Sequence, residues 1–103
     1  MIMFNPLVSS APGPPKFWLG QVVATPGAIK ALVKAGQDGS EFLARHHQGD
    51  WGEMSTADRQ ANDDAVASGE RLLSAYTLGD GVKLWIITEA DRSSTCLLLP
   101  DEY

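Results

Sequence analysis

The fold is decided by residues 72–89, which read LLSAYTLGDGVKLWIITE. Two runs rich in apolar, β-branched and aromatic residues flank a Gly-Asp-Gly turn at 79–81, a pattern typical of a β-hairpin. Successive side chains of a strand point to opposite faces, so Ile86 lies on one face of the second run while Trp85 and Ile87 lie on the other. Because both faces carry large apolar side chains, this strand is predicted to be central and partly covered on both sides.

The neighbouring segments extend this hairpin. A third apolar run at 95–99 follows a polar turn at 90–94, so the last third of the chain predicts a three-stranded antiparallel meander. Residues 17–24, which read FWLGQVVA, have the same β-forming composition and predict one strand near the start of the chain.

Three helices are predicted between that strand and the meander. The first begins at Thr25-Pro26, a capping residue followed by proline at the first helical position, and ends at Gly36. Its buried stripe is predicted from the spacing of three apolar residues, Ile29, Leu32 and Val33. The second helix runs from Ser40 towards Gly49, and the third from Ser55 to Gly69. Three alanines spaced four apart on the third helix predict a ridge for close packing: Ala57, Ala61 and Ala65.

The predicted fold class is therefore α+β: one N-terminal strand, three helices, then a three-stranded antiparallel β-meander, forming a single sheet packed by helices. Residues 17–103 form one domain, since 103 residues leave no room for two independent cores. Four prolines among residues 1–16 predict a flexible N-terminal tail, because proline removes backbone donors and fixes φ.

The formal net charge of −5 is concentrated in residues 50–70. Six acids lie there against the single base Arg59, while acids and bases balance over the rest of the chain. Such a segment is either a solvated face that maintains solubility or a patch that docks a basic partner. The candidate partner-binding residues are Asp50, Trp51, Glu53, Asp58, Asp63 and Asp64. An acidic balance argues against general nucleic-acid binding, which depends on Lys and Arg, without excluding a small local cationic site.

Cysteine usage and hydropathy indicate the cellular compartment of the protein. Cys96 is the single cysteine, so no disulfide forms within the chain, and its apolar neighbours predict a small buried side chain rather than a nucleophile. No segment has the run of apolar residues that a membrane span needs, and the N-terminus lacks the basic start of a signal peptide. We expect a cytoplasmic protein with no cofactor.

Residues 45–52, which read RHHQGDWG, contain both histidines of the chain. Adjacent histidines on a helix point in different directions, and no second cluster completes a metal site, so no metal is predicted. Two interpretations of His46 and His47 stay open: a capping or packing role at the end of the helix, and a general base. Trp51 is interpreted as an anchor of the turn if buried and as a partner site if exposed.

A polar set on the meander supplies the remaining candidates for chemistry: Arg71, Ser74, Tyr76, Thr88, Asp91, Arg92 and Thr95. If the strands pair in register, some of these side chains converge opposite the second helix. A histidine base with arginines at the phosphate and a hydroxyl to orient it is what metal-free cleavage of RNA needs. The catalytic set of this alternative is His46, His47, Arg71 and Arg92.

Three segments also carry a resemblance: residues 17–28 (FWLGQVVATPGA), residues 45–52, and residues 73–76 with 83–93 (LSAY and KLWIITEADRS). The chain resembles a family of roughly hundred-residue uncharacterised bacterial proteins carried on plasmids, prophages and other mobile elements. Some of these are labelled as a type I restriction subunit, but this chain has neither the length nor the glycine motif of a methyltransferase. The order of helices then meander is also similar to the barnase/RelE-type nuclease architecture.

Two functions from different classes follow. The first, which the resemblance and the acidic segment favour, is a cytoplasmic macromolecule-binding module of a mobile element, an inhibitor of a host defence system that contacts another protein. The alternative is a metal-independent RNase or toxin-like nuclease. A homo-oligomeric accessory protein is the third possibility.

Overall fold

The computed structural model describes Ile2, Met3 and residues 15–103. The predicted N-terminal tail therefore falls largely outside the described residues. The elements follow one another as β1 (Ile2–Met3), β2 (Gln21–Ala24), α1 (Pro26–Ala35), α2 (Gly39–His47), α3 (Thr56–Ser68), β3 (Leu72–Thr77), β4 (Lys83–Thr88), β5 (Ser94–Leu98) and a 3-10 turn (Pro100–Glu102). No helix in the described part of the chain is long and apolar enough to cross a membrane.

The strands form one mixed sheet in the order β1-β2-β5-β4-β3. The hairpin β3–β4 and the pair β4–β5 are antiparallel, as predicted. The α+β class is confirmed, but a three-stranded antiparallel meander as the whole sheet is wrong. Strand β2 pairs in parallel with β5, with Val23 opposite Cys96, and gives a four-stranded mixed sheet with the two-residue β1 at its edge. Parallel neighbours need a long connection, which the three helices and the hairpin provide.

Local capping explains where the helices begin and end. Thr25 Oγ1 accepts a hydrogen bond from the amide of Ala28 at 3.1 Å, and Ser55 Oγ accepts one from Asp58 at 3.1 Å. Both caps confirm the predicted starts of α1 and α3. Helix α2 begins at Gly39, one residue before the predicted Ser40, and Asp38 is its N-cap, with its carboxylate accepting from the Ser40 amide at 3.0 Å.

The helical side of the sheet holds the main core. It consists largely of side chains that are less than 5% exposed: Leu19, Val22, Ala24, Ala28, Leu32, Phe42, Leu43, Tyr76, Leu78, Leu84, Ile86 and Leu97. The stripe predicted on α1 is wrong at Val33, which is 75% exposed, because α1 turns Ala28 and Leu32 towards the sheet. On the opposite side of β4, Ile87 is buried and Trp85 half-buried, which confirms that this strand is covered on both faces.

The free edge of β3 is covered by the chain itself. Ala75 donates to Trp51 O at 3.1 Å, and Glu53 donates to Ala75 O at 2.7 Å. Two residues away on the same strand, Leu73 is bound by Asn62 of α3. Asn62 donates to Leu73 O at 2.8 Å and accepts from the Leu73 amide at 3.2 Å. These bonds occupy backbone groups that would otherwise template another strand.

The alanine ridge predicted on α3 is wrong for two of its members. Ala57 and Ala61 are exposed, and Ala65 alone of the three is buried. Helix α3 meets the sheet at its edge rather than across its face, so Asn62 provides the contact that the alanines were expected to make.

Candidate functional site

His46 lies at the centre of a buried hydrogen-bond chain. Its ring is completely buried, with Nδ1 2.5 Å from Ser74 Oγ and Nε2 2.8 Å from Thr88 Oγ1. The chain continues from Thr88 Oγ1 to Thr95 Oγ1 at 2.7 Å and ends at Leu19 O, 2.7 Å from Thr95 Oγ1. Ser74, Thr88 and Thr95 thus converge opposite α2, but they do so inside the core.

The donors and acceptors along these hydrogen bonds determine the tautomer of His46. Thr95 donates its hydroxyl proton to Leu19 O, which accepts only, so Thr88 donates to Thr95. Thr88 Oγ1 then accepts from Nε2–H of His46, and Nδ1 accepts from Ser74. Both ring nitrogens are satisfied by a neutral imidazole. Burial, with smaller effects from His47 and Arg92, lowers the pKa of His46 to about 3, so the ring is uncharged at neutral pH.

His47 is half-buried and points away from this chain. Its Nε2–H donates to the carbonyl of Phe17 at 2.9 Å, and burial lowers its pKa, partly opposed by that hydrogen bond. The Phe17 ring packs edge-on against both histidines, with centroids 5.2 Å from His46 and 5.7 Å from His47. His47 therefore anchors the segment before β2 to the end of α2.

Arg92 binds the C-terminal end of α3 through its guanidinium. Nη2 donates to Ala65 O at 2.8 Å and Nη1 donates to Glu70 O at 2.6 Å and to Glu89 O at 3.2 Å. Ala65 O lies in the last turn of α3 and also accepts from the amides of Gly69 and Glu70. Carbonyls at this end of a helix carry partial negative charge, which a guanidinium offsets. All these bonds are structural, so Arg92 is committed to backbone oxygens.

Arg71 lies apart from the histidines, on an exposed region near the C-terminus. Nη1 donates to the hydroxyl of Tyr103 at 2.5 Å, and Nη2 is 3.5 Å from Glu89 Oε2. Tyr103 packs on Trp85, whose side chain is on the face of the sheet opposite to His46. Arg92 and both histidines surround the Phe17 ring, with the Arg92 guanidinium 5.8 Å from its centroid. His46 is completely buried and Arg71 lies with Tyr103, so the four residues of the nuclease alternative do not share one open cleft.

Much of the predicted partner-binding set is used within the protein. Asp50 forms an ion pair with Arg45 at 2.7 Å, which lowers the pKa of the Asp50 carboxyl. Glu53 is paired with Lys83 at 3.1 Å. Trp51 is 3% exposed and donates Nε1–H to Asp63 Oδ1 at 2.9 Å, so it is the anchor of the turn.

The remaining acids lie on α3 and face solvent. Asp58 and Asp64 are exposed, and the Asp64 carboxylate accepts one hydrogen bond, from the side chain of Gln60 at 3.0 Å. Within the described part of the chain, the ion pairs involve Asp50, Glu53 and Glu89 but none of the aspartates of α3.

Two features of the structure have no recognisable signal in the sequence. Asn62 carried no signal as an edge-capping residue, because that role needs α3 beside β3. Lys16 and Trp18 line a surface pocket with His47, although residues 17–24 indicated a strand. An exposed aromatic in a β-like run gives no sign of its exposure until the sheet is assembled.

Comparison of the chain with protein-family models, with curated proteins and with solved structures finds no match. Among the described residues, no group of three or more His, Cys, Asp or Glu side chains is placed to hold a metal ion.

Proposed function

We propose that the protein is a macromolecule-binding module that contacts a basic protein partner through the acidic face of α3, defined here as Asp58, Asp63 and Asp64. Helix α3 buries only Asn62 and Ala65, so most of its length is available to a partner.

The observation that carries this proposal is the fate of Arg59, the base closest in sequence to these aspartates. Its guanidinium does not pair with a carboxylate among the described residues. It donates to Gly52 O at 2.9 Å through Nη2 and to Met54 O at 3.1 Å through Nε. Among the described residues, the acidic face thus has no cationic side chain paired with its carboxylates, although an arginine lies on the same helix.

Uncompensated charge on an exposed helix has a defined physical effect on association. Opposite charge on a partner accelerates encounter, and like charge rejects wrong partners, both more strongly at low salt. The narrower hypothesis, an inhibitor of a host defence system encoded by a mobile element, rests on the sequence resemblance described above.

The test compares charge reversal on two surfaces. The double variant Asp58→Lys/Asp64→Lys reverses the acidic face and leaves Asp63, which holds Trp51, intact. The matched control Glu41→Lys/Asp101→Lys introduces the same change at exposed acids elsewhere. Each protein is immobilised, exposed to bacterial lysate at low salt and eluted with a salt gradient, and bound proteins are identified by mass spectrometry.

We expect wild type and control to retain the same basic protein, eluting below roughly 0.5 M salt, where the Debye length falls to a few ångströms. The α3 variant should lose it while keeping the wild-type thermal transition. Retention of the same proteins by all three, or of no specific protein by wild type, contradicts the proposal.

A further inference from the structure

Residues 15–20, which we call the strap, hold an exposed tryptophan in a fixed position. Lys16 N donates to His47 O at 2.8 Å, His47 donates to Phe17 O at 2.9 Å, and Thr95 donates to Leu19 O at 2.7 Å. Trp18 stands between these anchors and is 82% exposed, the largest exposure among the large hydrophobic side chains of the described residues. This indole does not pack in the core, yet hydrogen bonds hold the backbone on both sides of it.

A pocket of about 490 Å³ adjoins this tryptophan. It is lined by Pro15, Lys16, Phe17, Trp18 and His47. Its volume lies within the range of pockets that bind small molecules, and its composition is typical of them: apolar and aromatic walls with a few polar groups. An indole beside such a pocket offers a flat surface on which a planar ring can stack.

Two polar groups of the pocket remain available to a ligand. The Lys16 ammonium makes no ion pair or side-chain hydrogen bond within the described part of the chain. His47 uses Nε2 on Phe17 O, which leaves Nδ1 as an acceptor in the neutral ring. The pocket therefore presents one positive charge, one hydrogen-bond acceptor and a stacking surface, on a protein whose net charge is −5.

We infer that this strap pocket binds a small anion that carries a planar ring, of which a mononucleotide is the best-matched class. Its base stacks on Trp18, its phosphate meets the Lys16 ammonium, and an exocyclic amino group donates to His47. Stacking of a base on an aromatic side chain and a lysine–phosphate contact are each established sources of affinity.

Charge also limits the size of the ligand. A single phosphate needs one cation, whereas a nucleic-acid strand must be tracked by a row of Lys and Arg side chains. The chain has eight such residues, and Arg45, Arg59, Arg71, Arg92 and Lys83 are already bound to other groups of the protein. A mononucleotide is thus favoured over RNA or single-stranded DNA.

The experiment is a titration of ¹⁵N-labelled full-length protein followed by NMR. The probes are AMP, adenosine, inorganic phosphate and a single-stranded oligonucleotide. The three tryptophans give separate indole N–H signals, so Trp18 reports on the pocket while buried Trp51, whose N–H is bonded to Asp63, is an internal control. We expect AMP to shift the Trp18 and His47 signals saturably and to leave the Trp51 signal in place.

Matched variants locate the binding energy. Lys16→Glu should weaken AMP at least about tenfold, equivalent to losing one charge-assisted contact. Lys30→Glu, the same reversal at an exposed position of α1, should change it less than about twofold. Trp18→Leu should weaken AMP and adenosine alike, whereas Lys16→Glu should affect AMP more than adenosine.

Three results would overturn the inference. These are the absence of saturable shifts with AMP at millimolar concentrations, equal effects of Lys16→Glu and Lys30→Glu, and tighter binding of the oligonucleotide than of AMP, which would indicate a nucleic-acid surface instead. Because Trp18 and Lys16 are exposed, both variants are expected to fold, and the unchanged Trp51 signal verifies it.

Discussion

Burial of His46 carries an energetic cost that its hydroxyl partners offset. An imidazole removed from water needs a partner for each nitrogen, and Ser74 and Thr88 supply them at 2.5 and 2.8 Å. The neighbouring His47 has the same chemistry but one bond to a backbone carbonyl and a half-exposed ring. One residue along the chain thus separates a core component from a surface group.

Replacement of His46 should destabilise the protein strongly. His46→Ala removes a fully buried ring and leaves the hydroxyls of Ser74 and Thr88 without their partner, so we expect a loss of about 3 kcal/mol in the free energy of unfolding. His47→Ala, the matched control, should lose about 1 kcal/mol. Urea denaturation at neutral pH measures both, and equal losses would contradict the assignment.

The pH dependence of stability follows from the lowered pKa of His46, which is about 3 in the folded protein against 6.5 when unperturbed. Below pH 6.5 the unfolded chain takes up a proton that the folded chain rejects until about pH 3. Stability is therefore present above pH 6.5 and is lost as the pH falls towards 3, by up to about 1.4 kcal/mol per pH unit.

Urea denaturation between about pH 7 and about pH 5 checks this dependence, since carboxylates titrate mainly below that range. His46→Leu, which cannot bind the proton, should show a flatter dependence than wild type. His47→Leu should keep most of it, because His47 is only partly buried and contributes less. A wild-type slope in His46→Leu would be the contrary result.

At the scale of elements, α3 is held by polar contacts more than by apolar packing. Ser55 caps its start and Asn62 binds the edge of β3. Arg92 binds the Ala65 carbonyl in its last turn and the Glu70 carbonyl just beyond its end. A helix with two buried residues gains little from burial alone, so these side chains decide where it lies.

The two arginines of the nuclease alternative should behave differently when removed. Arg92→Ala deletes bonds to three carbonyls and should cost about 2 kcal/mol, with faster hydrogen exchange at the Gly69 and Glu70 amides. Arg71→Ala, which loses an exposed ion pair, should cost about 0.5 kcal/mol. Arg92→Gly distinguishes the loss of the guanidinium from backbone strain. Glycine adopts the φ of 60° of Arg92 without strain, whereas alanine does not. If Arg92→Ala were as mild as Arg71→Ala, the capping role would be wrong.

Two glycines with nearly the same backbone conformation test whether the contact of Gly52 with the edge of β3 contributes to stability. Gly52 (φ 78°) and Gly69 (φ 77°) both lie in the left-handed region. A Cβ at Gly52 would overlap Ala75 O and the Tyr76 ring, whereas a Cβ at Gly69 meets open space. Gly69→Ala should therefore cost about 1 kcal/mol and Gly52→Ala clearly more, about 3 kcal/mol.

Gly52→Ala should also release the 51–53 segment from β3 and expose its backbone groups. Calorimetry measures the stability of both variants, and light scattering should detect self-association in Gly52→Ala alone. Indistinguishable variants would show that the 51–53 segment does not protect this edge.

At the scale of the whole molecule, the parallel pair β2–β5 links the start of the domain to its end, because it pairs residues more than 70 positions apart. Val22 and Leu97 lie in the main core beside Ala28 and Leu32 of α1, so separating these strands also opens the core under α1. Helix α3, by contrast, can detach at its own edge of the sheet. The structure thus predicts two levels of local stability in one domain.

Hydrogen exchange as a function of denaturant distinguishes these levels. The amides of Val23 and Leu97 should exchange only through global unfolding, with the free energy and denaturant dependence measured for the whole protein. Amides in the middle of α3 should exchange through smaller openings, at least about 1 kcal/mol below the global value. Equal protection of α3 and β5 would contradict this division.

The α+β class, the three helices and the hairpin can be predicted from the sequence, because these features depend on local information. Thr25, Ser55, Gly36 and Gly69 specify helix ends through their own backbone and side-chain chemistry, and the turn at 79–81 specifies strand pairing across a few residues. The sequence also locates the surplus negative charge, since counting charges requires no geometry.

The partner of β2, the position of α3 and the roles of the candidate residues depend on how distant segments pack together. The β2–β5 pairing and the contact of Asn62 with Leu73 join distant segments, for which local propensity holds no information. Nothing in the local sequence distinguishes the role of His46 from that of His47, or the role of Arg71 from that of Arg92. Packing makes one of each pair a buried or capping group, because burial and hydrogen-bond partners are properties of the assembled chain.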